Sequence, residues 1–179
     1  MELSNAPVDP NNLPALEEVE LSPVSPRFAP YRLFSRLLSL LPLVFLLWLL
    51  PAIAELPAGV YPLILGAAAI LASASIALAW LEARRRTFAL REQDLIYHGG
   101  LVIQHTTVLP FARIQHVETA SNPLERSFNL VRVTCFTAGG AGGDLVIQGL
   151  ERETAERVRE YLLERIRALN VQTVRNSHD

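Results

Sequence analysis

No lysine occurs anywhere in the 179 residues, so all 16 basic side chains are arginine. The absence excludes a Schiff-base amine and the lysine of a Walker-type phosphate loop. Cysteine is nearly as scarce: Cys135 stands alone, which forbids an intrachain disulfide and suits a reducing compartment. Eighteen acids against 16 bases leave a net charge of −2, too even a balance to draw the chain to nucleic acid. No Gly-x-Ser-x-Gly elbow and no paired-carboxylate motif is present. His98, His105 and His116 fall on different expected strands, and although His105 is expected to face Asp94 across a hairpin, no acid or thiol cluster completes the three or four ligands a metal needs. The expectation is a noncatalytic protein with no metal and no cofactor. A membrane enzyme using His105 and His116 is the reading it competes with.

The longest absence is of charge. Leu37 to Ala54 and Leu56 to Leu81 contain no charged side chain and are separated by the single acid Glu55. A helix rising about 1.5 Å per residue needs about 20 apolar residues to cross a hydrocarbon core of about 30 Å. Residues 31–83 therefore read as a transmembrane helical hairpin whose tip, Glu55-Leu56-Pro57-Ala58-Gly59, has no room for a folded domain. Arg27, Arg32 and Arg36 precede the first span and Arg84, Arg85 and Arg86 follow the second, whereas the tip has no basic residue. Basic flanks stay inside, so both termini are expected in the cytoplasm. Tyr61 and Trp80 near the two ends of the second span suit the headgroup layers.

Two sets of residues in the hairpin invite a role. Arg84, Arg85 and Arg86 fix topology and form a membrane-interface cluster able to attract anionic lipid. Ala69, Ser73 and Ala77 recur every four residues, a helix-packing face of small side chains that lets another helix approach closely. The first span is the expected neighbour, and a helix of another subunit is the alternative.

Outside the spans the pattern changes twice. Residues 1–30 carry Pro7, Pro10, Pro14, Pro23, Pro26 and Pro30 among acids, the composition of a disordered cytoplasmic tail. Residues 84–170 alternate like short strands: Thr87 to Leu90, Leu95 to Tyr97, Leu101 to Leu109 after a two-residue Gly99-Gly100 turn, Ile114 to Thr119 with a bulge, Val131 to Phe136, and Asp144 to Gln148 after the glycine-rich stretch 138–143. Asn122-Pro123 opens one helical turn. Cys135 alternates with polar neighbours on a strand and reads as core. A stripe of Ala155, Val158, Leu162, Ile166 and Leu169 marks an amphipathic helix from about Glu151 to Leu169, after which residues 171–179 lose all periodicity and are expected to fray.

The whole reads as a two-helix transmembrane hairpin followed by a mainly-β pleckstrin-homology-like barrel capped by a C-terminal α-helix. Ile114-Gln115-His116-Val117, Leu124 through Leu130, Thr137-Ala138-Gly139 and Gly149-Leu150 to Ala155, in this order after two apolar spans, resemble the bacterial pleckstrin-homology membrane proteins called YdbS-like. Asn129 stands where that family commonly has glycine, and asparagine is the next best residue for a left-handed helix end. The resemblance implies a noncatalytic module of the bacterial cytoplasmic (inner) membrane. Its implied partners are the bilayer and another PH-domain-containing membrane protein or a second copy of itself. Anionic-lipid sensing or handling is the alternative.

Overall fold

The computed structural model describes residues 20–54, 57, 59–137 and 143–176. The two charge-free runs lie on α1 (Phe28–Ile53) and α2 (Val60–Arg85), each of 26 residues. At 1.5 Å per residue such a helix is about 39 Å long, more than a hydrocarbon core requires. Only 0% of the most apolar window of α1 and 6% of that of α2 are buried within the chain, which separates them from the core helices of a water-soluble globule. Leu41, Phe45, Trp48, Leu63, Ile70 and Leu71 all point outward.

Two antiparallel sheets follow. The first runs in the order β1 (Ser22–Pro23), β2 (Thr87–Leu90), β3 (Asp94–Gly99), β4 (His105–Pro110), and the second β5 (Ile114–Ala120), β6 (Leu130–Thr137), β7 (Leu145–Glu151). The short α3 (Pro123–Ser127) links β5 to β6, and α4 (Arg152–Asn176) ends the described chain. This is the layout of a PH-like fold, although the two sheets are not closed into one barrel. Ala155, Val158 and Leu162 of α4 are buried against them, with Ile166 and Leu169 packed at the margin, so the expected stripe covers the core.

Local chemistry explains several boundaries. Asn122 caps α3 by accepting from the Glu125 backbone N–H at 2.7 Å, while the Glu125 carboxylate accepts from Asn122 N at 2.8 Å, a reciprocal box. Asn129 then takes φ +57°, the left-handed conformation expected of it. Between β2 and β3, the Arg91 guanidinium grips the Asp94 carboxylate with two 2.7 Å bonds and holds it below the usual carboxylate range. The expected irregularity of β5 is a register shift between Ile114 and His116.

Four expectations need correction. Gly99 pairs with His105, so the β3–β4 connection is a five-residue loop, 100–104, and not a two-residue turn. Gly100 sits at φ +96°, where a Cβ would run into the Ile103 carbonyl oxygen, and the loop leaves Val102 and Ile103 almost fully exposed. His105 lies at one end of this hairpin and Asp94 at the other, opposite Pro110, so the two do not face each other. The expected disordered tail of residues 1–30 stops short: β1 pairs with β2, and Val24, Phe28 and Ala29 are buried in the same core as Leu95, Phe111 and Ile147. Residues 1–19 lie outside the described residues. At the other end α4 runs on through Asn176 where fraying was expected, with residues 177–179 and most of the glycine-rich stretch, 138–142, outside those described.

Candidate functional site

The junction between helices and sheets is polar and organised by Arg86. This residue ends α2 in an extended conformation, φ −75° and ψ 130°, which breaks the helical course of the chain at the point where β2 begins. Its guanidinium donates to the Glu82 carboxylate, to Tyr97 Oη at 3.1 Å on β3 and to Gln148 Oε1 at 3.1 Å on β7. It also lies 5.5 Å from the centre of the Phe28 ring. Glu82 accepts a further bond from Arg32 of α1 at 3.4 Å. Glu82 thus joins the two apolar helices, and Arg86 joins them to both sheets.

Of the expected interface cluster, only part faces outward. Arg84 and Arg85 are exposed, with Arg84 stacked 5.2 Å over Trp80. Arg86 is turned inward and 15% exposed, so its charge is spent on the junction. Arg36, which the sequence marks only as part of the basic flank of the first span, also lies beside this junction. It is exposed on α1 one turn after Arg32 and has no side-chain bond among the described residues.

Beside the junction an open cleft of about 520 Å³ separates the helices from the β3–β4 loop. Arg32, Ser35, Arg36 and Ser39 line it from α1, Leu78 and Glu82 from α2. Val102 and Ile103, 82% and 79% exposed, close its third side.

The helix-packing face also shifts. Within the chain Ala68, Ala72, Ser75, Ile76, Ala79 and Ala83 of α2 are partly or fully covered, whereas Ala69, Ser73 and Ala77 remain exposed. A second, apolar groove of about 350 Å³ runs between α1 and α2, bordered by Leu43, Val44 and Leu47 and by Ala68, Ala69 and Ala72. Tyr61 Oη donates to the Leu47 carbonyl at 3.2 Å across its end.

The histidines are dispersed. His98 contacts Thr106 at 2.9 Å, and His116 stacks on Phe136 beside Glu118, on a different sheet. Among the described residues no group of three His, Cys, Asp or Glu side chains is placed to hold a metal. Cys135 is buried on β6, and burial pushes its thiol up to about 12. N-Ethylmaleimide at pH 8 should therefore leave Cys135 unmodified in the folded protein and label it fully after denaturation. Intact-mass measurement checks this, and fast native labelling would contradict the buried placement.

Comparison with known proteins accounts for this layout. A family model described as "Bacterial PH domain" matches residues 33–166. The chain is 29% identical over 75 residues to the UPF0699 transmembrane protein YdbS of Bacillus subtilis, an alignment covering 42% of this chain and 45% of that protein. It is 25% identical over 91 residues to the UPF0699 transmembrane protein YdbT of the same organism, covering 50% of this chain and 18% of that protein. The match thus spans less than half the length of either relative. No solved structure matches.

Proposed function

The chain belongs to the bacterial PH domain family, and from that premise we propose that it is a noncatalytic module, anchored in the cytoplasmic membrane, that assembles with other membrane proteins. Its two apolar helices and its relatives' description as transmembrane proteins support the anchor. Arg32, Arg36, Arg84 and Arg85 all lie at the sheet end of the helices, and the basic-inside tendency supports a cytoplasmic position for that end.

The observation that carries the assembly reading is the exposure of Ala69, Ser73 and Ala77. Lipid-facing helix surfaces have no need of small side chains, whereas close helix–helix approach does, and this face is left exposed within the chain. The partner is a further PH-domain membrane protein or a second copy. The noncatalytic reading is supported by the match to the bacterial PH domain family.

Cross-linking in mild detergent tests this, on the chain alone and co-expressed with a second PH-domain membrane protein from the same genome. A cross-linked complex is expected in one of the two, reduced at least about tenfold by the pair Ser73→Leu and Ala77→Leu, which exchanges close packing for bulk. A chain that stays monomeric in both preparations overturns the reading.

A further inference from the structure

We propose that the cleft between α1, α2 and the β3–β4 loop holds one anionic glycerophospholipid, its phosphate against Arg32 and Arg36 and an acyl chain against Val102 and Ile103. The inference goes beyond assembly and does not depend on it.

Depth is the first argument. Ser39 and Leu78 in the cleft belong to the charge-free runs, while Arg32 and Arg36 lie just before the first of them. The cleft therefore spans the level at which headgroups give way to hydrocarbon.

Charge is the second. Arg32 and Arg36, four residues apart on one helix, are separated by about 6 Å along its axis, so the oxygens of one phosphate can reach both guanidinium groups. Arg36 is unpaired among the described residues, and Arg32 commits only Nη2, at 3.4 Å, to a Glu82 that Arg86 holds more closely.

The third argument separates a lipid from free phosphate. Gly100 bends the loop so that two adjacent aliphatic side chains border the cleft and are otherwise uncovered. Water gives such a pair no support, and an acyl chain covers it. A cleft of about 520 Å³ accommodates a headgroup and the first part of a chain, with the remainder continuing into the bilayer.

Native mass spectrometry of the full chain, released from detergent micelles holding equal phosphatidylglycerol and phosphatidylcholine, tests the site. The wild type should retain phosphatidylglycerol about fivefold over phosphatidylcholine, and Arg36→Gln should remove that preference, a change equivalent to about 1 kcal/mol. Val102→Ser with Ile103→Ser should lower retention of both lipids. Arg126→Gln, which removes an exposed arginine outside the cleft, should change neither. All four substituted positions are exposed, so the fold is not at stake. Equal retention of the two lipids by the wild type, an Arg126→Gln loss as large as that of Arg36→Gln, or no effect of the Val102 and Ile103 pair would each overturn the proposal. So would displacement of phosphatidylglycerol by millimolar inorganic phosphate, which would mark a site for free phosphate.

Discussion

Gly149→Ala should destabilise the sheet domain by about 2–5 kcal/mol, the sum of left-handed backbone strain and overpacking. Gly149 lies in β7 at φ +81°, and a Cβ there would overlap the Phe28 ring and stand 2.9 Å from Phe28 Cβ. The ring cannot retreat. Phe28 is 1% exposed, stacked on Tyr31 at 5.8 Å, and its segment is pinned by the bond from Ser25 N to the Gly149 carbonyl at 2.9 Å. The measurement is a melting curve in detergent, set beside Phe28→Ala, for which an aromatic truncation of about 3–5 kcal/mol is expected. The double variant should be less damaging than the sum, because the smaller side chain makes room for the new methyl group. An unchanged melting temperature in Gly149→Ala would mean that the start of α1 is not seated on β7.

Arg86→Met should cost about 2–3 kcal/mol, the range for losing hydrogen bonds to a charged group at a site that retains some solvent. Tyr97 and Gln148 would lose their donor, and Glu82 would keep only the longer bond from Arg32. Arg86→Lys should recover only part of the loss, since a single ammonium cannot reproduce a planar fork aimed at three acceptors. Beyond stability, protease cleavage between α2 and β2 should accelerate in Arg86→Met while the α4 region stays protected. Uniform protection along the chain would show that the junction stands without this arginine.

Most of the fold was legible in the sequence wherever a period had room to develop. The apolar runs, the α4 stripe, the Asn122 cap and the left-handed Asn129 each rest on spacing or on one residue's backbone preference, and these are local properties. The misreadings occurred where local pattern and environment part company. β1 is two residues long, too short to alternate, and the neighbouring prolines disguise Phe28 as part of a tail. Leu101-Val102-Ile103 was apolar enough to read as strand, yet Val102 and Ile103 are almost fully exposed in a loop before β4. Alanines are so frequent in α2 that nearly every face has small residues, so composition could not say which of them are covered within the chain. The arginine triplet had one charge too many for its expected role: only the break in helical course after Arg85 sends Arg86 inward. The cleft was invisible for a different reason. Its parts, Arg36 and Ile103, are 67 positions apart and meet only through the tertiary fold.

Helix α1 is continuous from Phe28 to Ile53, and its first turn is part of the sheet domain's core. No swivel separates the anchor from what it carries. The orientation of the sheets is therefore set by the first turn of α1, and a change in bilayer thickness that tilts this turn is expected to tip the sheets with it.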